Sequence, residues 1–467
     1  MLFNSVQYWI FLPIVWLLYF GIPSHYRWIW LLLASYVFYG FWKIEFAGLM
    51  AFTSLIDWYC ALKIEGAERK NYKKTWLWLS ILSNVAMLFM FKYFDFALGG
   101  SNIAKSLANN NITAWIIELG KYTIPAGISF YTFQSISYVV DVYRGEEKAQ
   151  HHLPKFMLYV SFFPQLVAGP IERFGKLNSQ LFTKYLPNWA DLQNGFRIIL
   201  YGLFLKVAVA DNLASVADAY YSNPDIYSTN SAWIAIFAFA FQVYSDFFGY
   251  SLLAQGSALL FGIQLMDNFN KPYIAKSIPE FWHRWHISLS TWFRDYIFIP
   301  IGGNKRGPIV LSLAVLLVFF TSGLWHGAKM TMIIFGISQG VLYLFDRFIL
   351  GKISIENHLW NAFKQFKTFF FFMITLIYFR SGSIAQSGQV FENLFGSKGQ
   401  SNLNIPAHIP LFLLIFYILD NWLMKQRVDK WIAQYPLPLR WLFYAVMLTA
   451  VWLFGGAVNH PFVYFQF

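Results

Sequence analysis

The chain runs to 467 residues, 57% of them hydrophobic and only 12% charged, with 20 Trp, 28 Tyr and 51 Phe. Soluble globular proteins carry roughly 25% charged and 45–50% apolar residues, and the mean hydropathy of +0.45 lies on the apolar side as well. A soluble multidomain enzyme, a disordered chain and a nucleic-acid-binding domain are therefore excluded, and the formal charge of +12 reads as positive loops on the cytoplasmic side of a membrane.

In chain order, apolar runs near the length that crosses hydrocarbon fall at 6–22, 28–43, 46–62, 76–94, 122–142, 195–215, 232–262, 308–325, 328–346, 368–382, 409–424 and 440–457. Met1-Leu2-Phe3-Asn4-Ser5 lacks the positive start of a cleaved signal, so the first run reads as a retained span. The partly polar stretches 153–190 and 271–306 read as re-entrant or interfacial helices. Lys63, Arg69, Lys70, Lys73 and Lys74, then Arg347, Lys352, Lys364 and Lys367, then Lys425, Arg427, Lys430 and Arg440 mark cytoplasmic loops; the 217–231 segment holds Asp218 and Asp225 and no Lys or Arg. With twelve spans the alternation is consistent and both termini face outward. The polar stretches 99–111 and 397–405 read as outside loops, and no internal repeat is visible. The expectation is an all-α polytopic membrane protein of 10–12 spans, one domain over 1–467.

Ionisable groups at membrane depth need a reason to be there. The Val167–Phe174 segment places Glu172 and Arg173 after a Gly-Pro break, and Asp246 sits inside an apolar run; structural pairing explains both most simply. The densest group is 281–296, Phe-Trp-His-Arg-Trp-His-Ile-Ser-Leu-Ser-Thr-Trp-Phe-Arg-Asp-Tyr. As a helix it would put His283, His286 and Ser290 on one face, with Trp285 on another; an amphipathic helix in the headgroup layer reads equally well. Gly302-Gly303-Asn304-Lys305-Arg306-Gly307-Pro308 is a basic turn, either a positive-inside loop or a contact in which Lys305 and Arg306 meet donor phosphate. In Thr321–Ala328, His326 stands beside Trp325 between Gly323 and Gly327, as a hydrogen-bonded core residue or a general base. His25, His151, His152, His358, His408 and His460 read as loop or interface residues. His283, His286 and His326 could meet at a metal, but only Glu280 and Asp295 are near in sequence, so no metal is expected. The single Cys60 excludes an internal disulfide and reads as packing.

Taken together, several pieces resemble the membrane-bound O-acyltransferase superfamily, and within it the bacterial branch that O-acetylates alginate or peptidoglycan. They are Pro125–Gln134, Ala168–Ile171, Phe281–Ser288, Leu324–Gly327, Phe379–Ser381 and Tyr464–Phe467, in this order over nearly the whole chain. His326 and His286 match the family's two histidines, whereas family members often carry Arg at the position of His283. The resemblance implies spans and re-entrant helices around a central tunnel in the bacterial inner membrane. It implies an acetyl group taken from a cytoplasmic thioester, acetyl-CoA or another acyl thioester, with no bound cofactor. The acetyl group would pass to an extracytoplasmic polysaccharide such as alginate, cellulose or peptidoglycan, through a periplasmic partner protein. The partners expected are thus the lipid bilayer, the acyl donor and that protein, and no nucleic acid.

On this reading His326 is the base, the Gly323 and Gly327 backbone gives donor access, and His286 orients the acyl carbonyl or its partner. Trp325, Trp285, Ser290 and Asp246 are candidates for the substrate passage. The two histidine segments must then meet inside the membrane. A covalent acetyl-histidine is the alternative route. The rival from another class is a transporter or export-channel component of a polysaccharide secretion system, which predicts internal repeats with matching broken helices.

Overall fold

A run of apolar residues in hydrocarbon satisfies its backbone only by coiling, and each apolar run of the sequence contains a helix. The computed structural model describes residues 1–93, 127–167, 169–353, 355, 357–396, 399–455, 460 and 462–463. Several sequence features lie outside the described residues: the 99–111 loop, Pro125 and Ala126, Ala168, part of 397–405, and the closing Tyr464–Phe467. Among those described there is no strand, only one bridge between Tyr227 and Ser401. Among the described residues six helices are long and apolar enough to cross a membrane, and Val6–Gly21 and His408–Leu423 are shorter apolar helices.

The chain divides into two compact units, 1–192 with 257–266, and 193–256 with 267–467. In the first, helices α1 (Val6–Gly21), α2 (Arg27–Gly40), α3 (Ile44–Glu65), α4 (Lys70–Leu88) and α5 (Ile128–Arg144) precede α6 (Leu153–Ser161) and α7 (Phe174–Leu181). Polar groups buried among them are paired internally, as hydrocarbon requires. Ser80 Oγ and Asn84 Nδ2 donate to the buried Asp57 carboxylate at 2.6 and 2.8 Å, joining α3 to α4. Glu172 is fully buried and accepts from the Met266 amide at 2.5 Å. It is therefore structural.

The second unit carries α8 (Trp189–Leu203, its first residues in the other unit), α9 (Asp211–Ser222), α10 (Thr229–Leu259), α11 (Ile278–Arg284), α12 (Ile287–Phe293), α13 (Gly307–His326), α14 (Met330–Phe348) and α15 (His358–Arg380). Three helices follow, α16 (Ile384–Gly396), α17 (His408–Ile418) and α18 (Leu437–Phe454). On α13 the apolar residues Ile309, Leu313 and Leu317 are 76%, 62% and 44% exposed, whereas Ala314, Val315, Trp325 and His326 are buried. One stripe of this helix suits lipid and the other packs on protein, a division that soluble helices lack.

Candidate active site

α13 stops at His326 because Gly327 is extended (φ −172°, ψ 149°). α14 then returns antiparallel against it. The crossing has no side chain between the backbones. A Cβ placed on Gly323 would lie 2.4 Å from the Met332 carbonyl oxygen, and one on Gly336 would lie 2.2 Å from that of Phe319. Small residues allow this close approach of membrane helices. Gly323 thus serves helix packing, and its carbonyl accepts from the Gly327 amide at 3.4 Å. It does not open the backbone to a ligand as the sequence suggested. At the end of this tight pair His326 is buried, its ring 4.8 Å from Trp325, 5.1 Å from Phe379 and 6.0 Å from Phe335 between centroids.

The 281–296 stretch is not one helix. α11 starts with Ser277 Oγ accepting from the Glu280 amide, and Asp346, paired with Lys367 at 2.5 Å, accepts from the Ile278 amide. It ends after Arg284, and His286 sits in the left-handed region (φ 43°, ψ 54°) ahead of α12. The segment 268–270 braces the break: the Asn270 amide donates to the Arg284 carbonyl, and the Ile287 amide to the Asn268 carbonyl, both at 2.9 Å. His283, His286 and Ser290 therefore do not share a helix face. His283 is exposed at a cavity rim, while His286 is 1% exposed and turned into the protein. Ser290 Oγ donates to the Trp285 carbonyl and also borders the cavity. Trp285 is a core residue, packed on Phe281, Phe269 and Phe372 with centroids 5.1 to 5.5 Å apart.

The break aims the His286 ring at Trp325, 5.7 Å away, with Phe247 of α10 edge-on at 4.6 Å. Trp325 therefore touches both imidazoles. The two segments that the sequence required to meet do so across this indole. Asp246, next to Phe247, is occupied structurally: its carboxylate is 2.7 Å from Lys206 Nζ and accepts from the Val463 amide. Lys206, 1% exposed, is also 2.7 Å from Asp211 and donates to the His460 carbonyl. The ring of Phe462 packs on Tyr250 and Phe247. Sequence reasoning missed Lys206, although a lone lysine within the 195–215 run was the available signal. His460, beyond the last span, has its imidazole pulled below the ordinary value by burial, with Asp218 working against the change.

A cavity of about 240 Å³ runs along α13 from the Asn304 and Arg347 end to Ser322, one turn before His326. Its rim carries His283, Arg294 and Arg347, and its wall Val315, Val318, Phe319 and Phe293. Arg347 donates to Asn304 at 3.2 Å. Lys305 and Arg306, the basic pair singled out from sequence, are exposed and do not line it. The cavity's two arginines, Arg294 and Arg347, stand far apart in the chain, so no sequence run announces them. Among the described residues no group of three His, Cys, Asp or Glu is placed to hold a metal ion.

Residues 146–382 match the model of the membrane-bound O-acyltransferase family, a span that includes both histidines. The chain is 38% identical over 413 residues to the probable alginate O-acetylase AlgI of Pseudomonas aeruginosa, covering 86% of this chain and 77% of that one. It is 32% identical over 457 residues to the peptidoglycan O-acetyltransferase of Helicobacter pylori, covering 88% and 83%. To the teichoic acid D-alanyltransferase of Bacillus subtilis it is 29% identical over 281 residues, 57% of this chain and 69% of that one. With two buried imidazoles joined through one indole and relatives aligned over most of its length, the chain belongs to the membrane-bound O-acyltransferase family and is a multi-pass membrane O-acyltransferase.

Proposed function

We propose that the protein takes an acetyl group from a cytoplasmic thioester, acetyl-CoA or another acyl thioester, and delivers it to a hydroxyl on the outer side of a bacterial inner membrane. The product serves O-acetylation of an extracytoplasmic polysaccharide of the alginate, cellulose or peptidoglycan kind, by way of a periplasmic partner protein. The acceptor hydroxyl oxygen attacks the thioester carbonyl while His326 takes its proton; the tetrahedral intermediate collapses, the C–S bond breaks, and the leaving thiolate recovers that proton from the imidazolium. His286 orients a reacting group from the other side of Trp325. The basic rim of the α13 cavity suits the phosphates of a soluble donor, and its apolar wall suits an acyl-bearing arm.

One observation carries the reading: His286 and His326 are both buried, come from separate segments, and contact the same indole. Acetyl transfer by His326→Ala in vesicles supplied with acetyl-CoA tests it. Loss of transfer with normal folding is expected, and wild-type rates would remove His326 from the chemistry. Labelled protein trapped after exposure to donor alone would favour the covalent acetyl-histidine route over direct transfer.

A further inference from the structure

The hydrogen bonds around His286 specify which of its nitrogens carries the proton. Asn268 Nδ2 lies 3.1 Å from Ser251 Oγ on α10, and Asn268 Oδ1 lies 3.4 Å from the Ser288 backbone nitrogen. A backbone N–H can only donate, so the amide end facing Ser288 is its oxygen; the usual ambiguity between amide oxygen and nitrogen is removed. The Ser288 hydroxyl is 2.6 Å from that same oxygen, which has no proton to give, so the hydroxyl proton points at Asn268. Ser288 Oγ then has only lone pairs to offer His286 Nδ1, at 3.5 Å. A hydrogen bond between the two then requires Nδ1 to be the protonated nitrogen of the neutral ring. Asn268, Ser288 and Ser251 are all buried, which keeps water from scrambling the order.

We infer that Asn268 and Ser288 act as positioning residues that hold the His286 proton on Nδ1, making Nε2 a hydrogen-bond acceptor. The inference rests on the acyl-transfer reading and sharpens it. In this state His286 cannot donate from Nε2 to the acyl carbonyl or to the oxyanion that forms from it. Of the two roles open to it, it orients the donor's partner, accepting an O–H or N–H of the acceptor beside the reacting centre. The same bonds hold the ring in place: the Asn268 carbonyl receives the Ile287 amide directly after the left-handed residue.

Steady-state acetyl transfer by Ser288→Ala and Asn268→Asp, each checked for folding by its melting curve, tests this. Ser288→Ala should lower kcat about 10-fold with KM for donor unchanged, the rate equivalent of losing one hydrogen bond in the transition state. Asn268→Asp still accepts from Ser288 but adds a negative charge, which favours imidazolium; the acid limb of the kcat profile should move up by about one pH unit. A purely structural role would not move that limb. An unmoved limb in folded Asn268→Asp, or wild-type kcat in Ser288→Ala, overturns the inference. If Ser288→Ala fails to fold, the Asn268→Asp profile decides alone. His286→Ala separates the levels: full activity there would sink the acyl-transfer reading itself, whereas loss in His286→Ala with normal Ser288→Ala and Asn268→Asp would sink only the proton assignment.

Discussion

Gly323→Ala is the substitution whose effect follows most directly from the helix crossing. The added methyl would lie 2.4 Å from the Met332 carbonyl oxygen, with the Gly336 Cα at 3.3 Å. Ordinary contact is about 1 Å longer. The obstacle is backbone, which cannot rotate away, so α13 and α14 must separate by a comparable amount near this point. Overpacking of this kind costs about 1–3 kcal/mol. His326 is three residues further along the same helix and shares the displacement. A misplacement of ~1 Å in a catalytic group can lower a rate about 100-fold. We therefore expect a 10- to 100-fold fall in acetyl transfer in vesicles, with a lower melting temperature. Gly340→Ala is the control: the nearest atoms to its methyl would belong to the Leu316 and Phe319 side chains, at 3.1 Å and beyond, rather than to backbone. If Gly323→Ala and Gly340→Ala transferred acetyl groups equally fast, the crossing would not set the position of His326.

Other outcomes follow from individual contacts. Trp325→Phe should keep an aromatic wall between the imidazoles and lose a few-fold in rate, whereas Trp325→Ala should lose about 100-fold, measured in the same assay. Asp246→Asn leaves the buried Lys206 with Asp211 as its remaining carboxylate partner; thermal unfolding in detergent should show a loss of about 3–5 kcal/mol. The double change Lys206→Met with Asp246→Leu should recover part of it. Arg294→Ala and Arg347→Ala, at the cavity rim, should raise the donor KM about 10-fold with little change in kcat. Lys305→Ala and Arg306→Ala should remain within about twofold of wild type.

Hydropathy made the spans legible, because hydrocarbon leaves the chain no alternative to helix over a long apolar run. The helix at 229–259 and that at 307–326 fall close to their apolar runs. The site was legible as residue types only. Placing His283, His286 and Ser290 on one face assumed an unbroken helix, and the break comes from hydrogen bonds with 268–270, which no local pattern encodes. Residue type alone makes Trp285 a candidate for the passage and cannot show that it packs on Phe281, Phe269 and Phe372. The apolar run around Asp246 calls for a structural partner, but nothing local names it, because Lys206 stands 40 residues earlier in the chain. The basic cavity escaped for the same reason: Arg294 and Arg347 become neighbours of one space only after α12, α13 and α14 have packed, while Lys305 and Arg306 drew notice by being adjacent in sequence.

Backbone conformation at His286 allows catalytic and structural roles to be separated. Lys271 and His286 are the two non-glycine residues with positive φ among those described, and they bracket α11. Holding a residue there costs about 1–3 kcal/mol and persists only where the surroundings impose it. Asparagine tolerates this region better than histidine. His286→Asn should therefore relieve backbone strain while giving up ring contacts with Phe247 and Trp325, two opposed effects of similar size. If the imidazole is retained for chemistry, His286→Asn melts within a few degrees of wild type and yet transfers no acetyl group. If its main task is to fill the space between Phe247 and Trp325, the same variant should melt far lower and regain activity on cooling. Measuring melting temperature and transfer rate on one preparation distinguishes these results, and the second would remove His286 from the catalytic pair.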